Sequence, residues 1–538
     1  MANGQTPVET VTLSIDGETL TVPKGITILE AAERLGTRVP HYCYHPGLSS
    51  PAMCRLCLVE VQGAPKLQPS CVTAVAEGQV VLTDSEKART QRTGVLEFYL
   101  ANHPLDCPIC DQSGECKLQD YVHAEGRDHG RSKEPKRVFG RDDFGGDVLF
   151  YGDRCVMCTR CVRFMNEVEK DPRLTVVERG DRAIIDTFFE EGLDNTHFSG
   201  NVVDICPVGA LVSKDFLYKA RAWDLDHTPS LCPNCSQGCN IELHTRDNRV
   251  QRFKPRQNLD VNGHWMCDYG RARYDHLNVE DRLEVPLVKD AGVSRATGWR
   301  ESIPVLVEAL RGASGGVKAV ASPHHSNEDL GALALLVEAL GGGEIVFRSE
   351  RAPAEFERPL PGYPTLVRRR DLAPNGTGAL HLGMNRVGSD DGTGGLESVA
   401  KHAGVVLVLG DALADQPESF GGEAALFVYL GSRAPLAARA AHFVLPTTTF
   451  AEQEGTFTNA QGRVQRFWTG LQGPGAARPA WLILAALEAE LREGSPPTSA
   501  AEMFGRLADH SPRFAGLTFE AVGTRGALAN EPLQLTGD

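Results

Sequence analysis

The fold of this chain is organised around the stretch from residue 43 to residue 267. It contains four cysteine-rich segments: CYHPGLSSPAMCRLCLVEVQGAPKLQPSC (43–71), HPLDCPICDQSGEC (103–116), DRCVMCTRC (153–161) and CPNCSQGC (232–239). All fifteen cysteines of the 538-residue chain lie within this stretch, and none follows it. An odd number of cysteines, many at C-x2-C spacing, favours thiolate metal ligands in a reducing compartment over disulfides.

The cysteines form four groups of four potential ligands once a histidine is counted with the second group. The groups are Cys43, Cys54, Cys57 and Cys71; His103, Cys107, Cys110 and Cys116; Cys155, Cys158, Cys161 and Cys206; and Cys232, Cys235, Cys239 and Cys267. Each cluster of iron and sulfide takes four protein ligands. Fifteen cysteines and one histidine would therefore fill four clusters and leave no thiol over.

The composition excludes several classes of protein. A chain of 538 residues is too long for one hydrophobic core and indicates several domains. Its net charge of -15 disfavours a nucleic-acid-binding surface, since phosphate contacts need a basic face. The opening MANGQTPVET lacks an apolar signal region, and the longest apolar runs (405–409 and 481–487) are far shorter than a membrane-spanning helix of ~20 residues. We therefore expect no export signal and a chain that is soluble or at most peripheral.

Two short basic runs interrupt this acidic sequence. They are Lys136-Arg137 and Arg368-Arg369-Arg370. We interpret both as solvated loops or subunit contacts, which is the common role of such charges.

The first 80 residues predict a small sheet that packs on one helix. Residues 11–15 and 20–22 alternate apolar and polar side chains around an Asp16-Gly17 turn, which is typical of a hairpin. Thr27 and Glu30 then form a capping box at the start of a helix. This pattern, followed by a loop with three cysteines, resembles the 2Fe-2S ferredoxin (β-grasp) fold, with a longer first loop than the plant-type C-x4-C-x2-C.

Two other interpretations of the first group are possible. Cys43-x-His45 fits half of a Rieske site, but Cys57 occupies a position where such a site needs a second histidine. His41 and His45 are therefore expected outside the ligand set. Four thiolates could also bind zinc, although the usual two short cysteine pairs are missing.

His103 is predicted to be the fourth ligand of the second group. A helical pattern over residues 83–102 ends at His103-Pro104, and the cysteine pair begins four residues later. Without the histidine, this group has only three ligands. Replacing a thiolate by neutral imidazole removes a negative charge next to the iron, which is worth roughly 4 kcal/mol and raises the potential by on the order of 100 mV.

The third group has the loop of a ferredoxin-type 4Fe-4S cluster. C-x2-C-x2-C wraps one cubane, and the fourth cysteine arrives from elsewhere and is followed by proline, as in bacterial ferredoxins. Cys206-Pro207 supplies that ending. The 44 residues between Cys161 and Cys206 contain no cysteine, so we expect one cubane where the bacterial counterpart has two.

The fourth group completes a resemblance to one family. Its C-x2-C-x3-C-x27-C spacing is found at the front of molybdopterin oxidoreductases. The four groups, in this order and spacing, resemble the large iron–sulfur subunit of the respiratory NADH-quinone oxidoreductases, the bacterial form of complex I. The resemblance covers residues 1–280. It implies one 2Fe-2S and three 4Fe-4S clusters, the fourth of which some members of the family lack.

Beyond residue 280 the sequence changes to an α/β rhythm without cysteine. Residues 317–321, 330–340 and 345–347 predict a βαβ unit, with Ser326 and Asp329 at the start of its helix. Residues 405–409 and 425–430 predict further buried strands. Together they indicate a doubly wound sheet.

Two short segments of this region resemble a recurrent stretch of the molybdopterin family. They are Glu454–Asn459 and Gly462–Gln465. The region is about half the family's length and lacks a cysteine, so we expect a scaffold without molybdenum. The pairs Asp390-Asp391 and His324-His325 are interpreted as loop and cap residues.

The fold class expected from these patterns is multidomain, α+β followed by α/β. The expected domains are a 2Fe-2S ferredoxin-like domain at 1–82, a 4Fe-4S domain with one histidine and three cysteine ligands at 83–140, a ferredoxin-like 4Fe-4S domain at 141–222, a molybdopterin-oxidoreductase-type 4Fe-4S domain at 223–280 and a shortened molybdopterin-oxidoreductase-like α/β domain at 281–538.

The resemblance implies an electron-transfer subunit of a proton-translocating NADH:quinone oxidoreductase, with no catalytic residue of its own. No strand is followed by G-x-G-x-x-G, so we expect no NADH or flavin site. The implied donor is a flavin-bearing NADH-oxidising subunit, the implied acceptor is a two-cubane ferredoxin-type subunit, and the place is the cytoplasmic side of the inner membrane. The implied route runs through the first, third and second groups, with the fourth off the route.

Three alternatives remain at this point. An iron-iron hydrogenase would need cysteines in the C-terminal region, and an NAD-linked formate dehydrogenase would need a full-length molybdenum domain. A zinc scaffold without redox activity would be colourless.

Overall fold

A computed structural model describes residues 9–187 and 190–530 of the chain. The chain forms two compact units, Met1–Asp224 and Leu225–Asp538. The first unit mixes small sheets with short helices, and the second contains a large mainly parallel sheet. This confirms the predicted fold class. None of the helices in the described part of the chain has both the length and the apolar character that a membrane crossing requires.

The first unit contains ten described strands and five α-helices. They are β1 (Thr10–Ile15), β2 (Glu18–Pro23), β3 (Leu58–Val61), β4 (Gln68–Pro69), β5 (Val80–Leu82), β6 (Arg141–Gly145), β7 (Val148–Tyr151), β8 (Thr175–Val177), β9 (Ile184–Asp186) and β10 (Leu211–Ser213), with α1 (Ile28–Arg34), α2 (Glu86–Leu100), α3 (Lys117–Glu125), α4 (Arg160–Arg163) and α5 (Asn201–Ile205). Short 3-10 turns lie at Cys107–Ile109, Gly152–Arg154, Gly180–Arg182 and Ala222–Asp224, and α4 continues as a π-helix over Phe164–Glu169.

The N-terminal sheet has the mixed topology that its sequence predicts. Its strand order is β2-β1-β5-β3-β4. β1 and β2 form an antiparallel hairpin, whereas β1 and β5 are parallel. Asp16 and Gly17 both have positive φ (50° and 91°), as a two-residue turn with the right twist for a hairpin requires.

Helix α1 begins at the predicted capping box. The Thr27 hydroxyl accepts from the Glu30 N–H at 3.2 Å, and the Glu30 carboxylate accepts from the Thr27 N–H at 2.7 Å. Ile28 and Leu29 on α1 pack against Leu13 and Ile15 of β1 in one buried cluster. The helix is thereby fixed on the sheet immediately before the first cysteine loop.

The rest of the first unit consists of short elements joined by cysteine-bearing loops. β6, β7 and β10 form a three-stranded sheet, and β8 pairs with β9. Helix α2 begins at Ser85, whose side chain accepts from the Ala88 N–H. At its other end, Lys136 Nζ donates to the carbonyl of Leu100 at 2.6 Å, so this basic residue caps the helix.

The second unit begins with a small antiparallel sheet and continues into the α/β region. Its strands are β11 (Asp226–Leu231), β12 (Asn240–Arg246), β13 (Arg249–Pro255), β14 (Leu287–Asp290), β15 (Val293–Ala296), β16 (Val317–Ala321), β17 (Gly343–Phe347), β18 (Arg358–Leu360), β19 (Tyr363–Arg368), β20 (Asn385–Arg386), β21 (Val405–Leu409), β22 (Leu426–Gly431), β23 (Phe443–Pro446), β24 (Gly455–Thr458), β25 (Arg463–Phe467) and β26 (Ala527–Leu528). Its helices are α6 (Asp268–Ala272), α7 (Trp299–Gly312), α8 (Asn327–Ala339), α9 (Gly376–His381), α10 (Glu397–Ala400), α11 (Ala480–Arg492), α12 (Ala500–His510) and α13 (Phe519–Val522). Further 3-10 turns lie at Asp275–Leu277, Ala354–Phe356, Leu436–Ala440 and Phe450–Glu452.

The large sheet is doubly wound, as predicted. Its order is β15-β14-β23-β22-β21-β16-β17-β20, and the strands from β23 to β20 are mutually parallel. In chain order these six strands run 3-2-1-4-5-6 across the sheet, so the winding reverses between β16 and β21. β21 is buried along its whole length, as expected for a parallel strand covered on both faces.

Candidate metal centres

The first cysteine group lies in two loops beside the N-terminal sheet. Cys43, Cys54 and Cys57 lie between α1 and β3, and Cys71 follows β4. All four thiols are buried. The structure brings them together as two pairs, because Cys43 hydrogen-bonds to Cys54 and Cys57 hydrogen-bonds to Cys71. Two thiol pairs match the needs of a binuclear cluster, in which each iron ion takes two protein ligands.

One thiol of each pair is unusually acidic. The hydrogen bond from Cys43 lowers the pKa of Cys54 to about 5, and the hydrogen bond from Cys57 lowers the pKa of Cys71 to about 7. The same hydrogen bonds, together with burial, raise the pKa of Cys43 and of Cys57. Each pair therefore readily holds one thiolate, which is the metal-binding form.

The two histidines near the first group are bonded to the protein backbone. His41 is buried, and its Nδ1 lies 2.9 Å from the carbonyl of Val39. The Gly47 N–H donates to His45 Nδ1 at 3.1 Å. Both rings thus have a backbone partner at Nδ1, and their place outside the ligand set stays a prediction.

The second group surrounds the short turn between α2 and α3. Cys107 begins the 3-10 turn and is exposed, Cys110 ends it, and Cys116 directly precedes α3. Burial raises the pKa of Cys110, and it raises that of Cys116 to about 11. His103 follows the end of α2, and its backbone N–H donates to the carbonyl of Tyr99 at 3.2 Å.

The His103 ring has the protonation state of a metal ligand. Burial, together with the charges of Lys136 and Arg154, lowers its pKa to about 4, so the imidazole is neutral at physiological pH. A backbone hydrogen bond with Arg154 acts on the ring in the opposite direction. Nδ1 is buried and has no hydrogen-bond partner among the described residues. A lone pair on this nitrogen would be satisfied by an iron ion, with the other nitrogen held by the backbone.

The third group lines a cavity beside β7 and β10. Cys155, Cys158, Cys161 and Cys206 all border it, with apolar neighbours such as Val208. The loop is tightly turned, since Met157 and Thr159 have positive φ (49° and 59°). Burial raises the pKa of all four thiols, to about 12 for Cys206. Four thiols around a largely apolar cavity fit a cubane that is shielded from water.

Gly209 brings the second and third groups into contact. A Cβ atom added at Gly209 would lie only 2.1 Å from the Sγ atom of Cys110, so only a glycine fits here. The Lys117 N–H also donates to the carbonyl of Pro207 at 3.1 Å. The turn after Cys206 therefore packs directly on the second cysteine loop.

Two arginines of α4 connect the first and third groups. Arg163 donates to the carbonyl of Cys43 at 2.5 Å and to the carbonyl of Cys158 at 3.2 Å. Arg160 is buried and donates to the carbonyl of Tyr44. Within the first unit, the third group therefore has contacts with both the first group and the second group.

The fourth group lies at the start of the second unit. Cys232 follows β11, Cys239 precedes β12 and Cys267 caps α6. All four of its thiols, Cys235 included, are buried. A Cβ atom at Gly270 would lie 2.9 Å from Cys232 Sγ, and the Gly270 N–H donates to Cys267 Sγ at 3.4 Å.

The segment that resembles the molybdopterin family binds the loop of the fourth group. Asn459 Nδ2 donates to the carbonyl of Gln237 at 3.2 Å, and Gln465 Nε2 donates to the carbonyl of Gly238 at 2.9 Å. Gly238 has a φ of 67°, and a Cβ there would lie 2.6 Å from Gln465 Oε1. The α/β region thus holds the loop between Cys235 and Cys239 in place.

Sequence patterns did not identify several of these supporting residues. Gly209 and Arg163 stand next to cysteine motifs, which was the only signal for them. Gln465 belongs to a recognised segment, but its contact lies 227 residues away in sequence. Arg368, placed in a solvated run by the sequence, is only 9% exposed in the structure.

His325 and the two aspartates of the paired residues have structural partners. His325 Nδ1 lies 3.1 Å from Asp329 Oδ2, and Asp329 forms the capping box at the start of α8. Asp391 accepts from the Ser389 hydroxyl at 2.7 Å within a loop. These contacts support their interpretation as cap and loop residues.

A further set of possible metal ligands lies on β11 and β12. The ligand atoms of His227, Glu242 and His244 lie within 4.8 Å of one another. However, Arg252 Nε donates to His244 Nδ1 at 3.1 Å, so the neutral ring carries its proton on Nε2, 3.3 Å from Glu242. The nitrogen that would face a metal is thus protonated, and Arg252, His244 and Glu242 form a hydrogen-bonded chain, with His227 Nδ1 3.8 Å from the Glu242 carboxylate.

Five family models match the chain in the order of its motifs. Residues 8–86 match a 2Fe-2S iron-sulfur cluster binding domain, 92–131 the NADH-ubiquinone oxidoreductase-G iron-sulfur binding region, and 145–212 the ferredoxin-like domain of NADH-quinone oxidoreductase subunit 3. Residues 225–279 match the molybdopterin oxidoreductase Fe4S4 domain, and 375–490 match molybdopterin oxidoreductase. The chain therefore contains both 2Fe-2S and 4Fe-4S binding domains.

Curated relatives carry related names. The chain is 38% identical over 333 residues to the G subunit of NADH-quinone oxidoreductase from Rickettsia felis, covering 62% of this chain and 49% of that protein. It is 42% identical over 301 residues to the NADH-ubiquinone oxidoreductase 75 kDa subunit of Reclinomonas americana (56% and 43%) and 36% identical over 409 residues to the G subunit of the Streptomyces coelicolor oxidoreductase (75% and 47%). The chain spans about half the length of these relatives.

Proposed function

We propose that this chain belongs to the family of the G subunit of NADH-quinone oxidoreductase and relays single electrons between partner subunits of such an oxidoreductase; its similarity to those subunits and the matched iron-sulfur binding region support the proposal. Iron–sulfur clusters supply that one-electron chemistry when they are bound. The chain's own residues would hold the clusters, shield them from water and set their spacing. As one part of such a complex, this chain alone would have no complete active site.

The proposal assigns four residues to each cluster. The first group would hold a 2Fe-2S cluster, with Cys43 and Cys54 on one iron and Cys57 and Cys71 on the other. The remaining three groups would each hold a 4Fe-4S cluster. The observation that carries the proposal is the buried Nδ1 of His103, which has no partner among the described residues and lies four residues before Cys107 in the sequence. An iron ion would satisfy that nitrogen.

Contacts within the first unit join all three of its sites. Arg163 bonds to loops of the first and third groups, and Gly209 packs on Cys110 of the second group. Tyr99, at the end of α2, also donates to the carbonyl of Cys54 in the first group at 3.4 Å. The proposed order, first, third and second, is therefore the one that the family resemblance implies.

The same proposal covers partners and location. A flavin-bearing NADH-oxidising subunit would deliver electrons at the first group, and a two-cubane ferredoxin-type subunit would receive them near the second. The complex would hold the chain on the cytoplasmic side of the inner membrane. The domains would run 1–82, 83–140, 141–222, 223–280 and 281–538, with the last acting as a scaffold without molybdenum.

The test is a count of clusters in the anaerobically purified full chain. We expect acid-labile sulfide and, in low-temperature EPR of the reduced protein, one binuclear and three cubane signals. Metal analysis should find iron without stoichiometric zinc or molybdenum. A colourless protein without sulfide, or formate oxidation by the chain alone, would refute the proposal.

A further inference from the structure

Arg368 is a buried cation next to the fourth cysteine group. It ends β19, and its side chain is held in place by Phe356. Arg368 Nε donates to the Phe356 carbonyl at 2.9 Å, and the guanidinium lies over the Phe356 ring, 4.1 Å from its centre. Tyr269 also packs against that ring, with the ring centres 4.9 Å apart and the planes nearly perpendicular. Tyr269 stands two residues after Cys267, so this stack fixes Arg368 beside the Cys267 segment.

Residues on both sides of Arg368 bind the Cys235 loop. Gln237 Nε2 donates to the carbonyl of Thr365 at 2.9 Å, and Arg369 Nε donates to Gln237 Oε1 at 3.2 Å. The Ser236 N–H donates to the carbonyl of Asp371 at 2.9 Å. The chain from residue 365 to residue 371 therefore runs along the fourth site, with Arg368 at its middle.

The charge of Arg368 acts on the thiols of this site. Burial and the charge of Arg358 lower the pKa of Arg368, while the neighbouring Cys267, Asp268 and Cys235 act against that lowering. In turn, burial raises the pKa of Cys267 to about 12, and Arg368 opposes the rise. A guanidinium stays protonated in proteins, so this site contains a permanent positive charge. Fewer water molecules screen it at a position that is 9% exposed.

We propose that the positive charge of Arg368 raises the reduction potential of the cluster held by Cys232, Cys235, Cys239 and Cys267. Reduction adds one negative charge to a buried site, and a fixed cation nearby stabilises the reduced state. The inference rests on the proposed function, which places a 4Fe-4S cluster on these cysteines. The adjacent Arg370 pairs with Asp390 at 2.7 Å.

The experiment is a redox titration of the full chain, followed by low-temperature EPR. The signal of the fourth cluster is identified as the one that Cys235→Ala removes. In Arg368→Gln we expect its midpoint potential to fall while the other three potentials stay unchanged. Arg368→Lys, which keeps the charge, should restore most of the potential. Arg370→Gln is the matched control, and it should leave all four potentials unchanged.

Each outcome decides the inference. An unchanged potential in Arg368→Gln would overturn it, as would equal falls in the Gln and Lys variants. If Arg368→Gln loses the cluster, Arg368→Met is titrated in its place. If both neutral variants lose the cluster and Arg368→Lys retains it, the site needs a positive charge at this position, which supports the inference. If all three variants lose the cluster, the inference is overturned. Absence of the fourth signal from the unmodified protein would instead refute the proposed function.

Discussion

Single residues decide how closely neighbouring candidate sites can pack. Gly209 is the clearest example, because its missing side chain is what allows the turn after Cys206 to reach Cys110. His103 shows how one atom can indicate a ligand, since its buried Nδ1 lacks a partner among the described residues. Both residues have a chemical role that their neighbours cannot take over.

Gly209→Ala should disrupt the His103 site. The added methyl group would lie 2.1 Å from Cys110 Sγ, which is well inside van der Waals contact, so the loop must move. We expect loss of most of the EPR signal of that cluster, with the 2Fe-2S signal retained. Gly130→Ala is the control, because nothing lies within 4 Å of the new atom there. A normal second-group signal in Gly209→Ala would contradict the packing described above.

His103→Cys should retain a 4Fe-4S cluster at a lower midpoint potential. A thiolate adds a negative charge beside the iron, and the expected fall is on the order of 100 mV. A redox titration with EPR detection measures it. His123→Cys places a new thiol on the exposed side of α3 and should change nothing. If the potential does not fall in His103→Cys, ligation by His103 is wrong.

The ends of helices and strands hold the residues of the candidate sites in place. Helix α1 begins at a capping box before the first cysteine loop, and α8 begins at a second one formed by Ser326 and Asp329. The start of α8 is fully buried against β24, where Thr456 donates to the Glu328 carboxylate through its N–H (2.9 Å) and hydroxyl (2.8 Å). β24 leads directly to Asn459, which binds the fourth cysteine loop.

Glu328 should make the stability of the chain depend on pH. Burial raises its pKa to about 8, whereas an unfolded glutamate has a pKa of about 4.3. The folded state then binds more protons between these values, so the free energy of unfolding falls as pH rises, by up to about 1.4 kcal/mol per pH unit. Glu328→Gln should remove this part of the fall.

Denaturant unfolding of the full chain at pH 6 and pH 9 measures the effect. The stability difference between Glu328→Gln and the unmodified protein should grow in favour of the variant as pH rises. Glu338→Gln, at an exposed position of the same helix, should leave the pH dependence unchanged. Identical slopes for all three proteins would show that Glu328 does not titrate in this range.

Over the whole molecule, the four candidate sites are divided between the two compact units. The first three groups lie in Met1–Asp224 and are linked by Arg163 and Gly209. The fourth lies in Leu225–Asp538, where the α/β region holds its loop. Under the proposed function, the three sites of the first unit would relay electrons, and the fourth site would belong to the scaffold.

Loss of the third and fourth sites should therefore have different consequences. Cys206→Ala should abolish quinone reduction by the proposed complex, because the proposed electron route passes through its site. Cys235→Ala should remove one cubane signal and retain most of the electron flux. NADH-driven quinone reduction and EPR on the same samples measure both effects. If Cys235→Ala assembled normally but did not turn over, the fourth site would belong to the route.

Periodicity and turn chemistry were sufficient for much of the fold. The hairpin around Asp16-Gly17, the two capping boxes and the strands Val317–Ala321 and Val405–Leu409 are confirmed at the predicted positions. They are local features, so a few adjacent side chains are enough to specify them. The grouping of the cysteines also follows from spacing, although ligation itself stays a prediction.

The sequence alone thus determined which side chains could bind metal, and in which groups, because metal ligands recur at short intervals along the chain. Only the tertiary structure decided how the groups contact one another and what supports them. The contacts of Arg163, Gly209 and Gln465 join residues 120, 99 and 227 positions apart. The buried position of Arg368 likewise depends on a hairpin that packs on a distant loop. Such long-range contacts produce no periodic pattern in a sequence, because they depend on which distant segments the fold brings together.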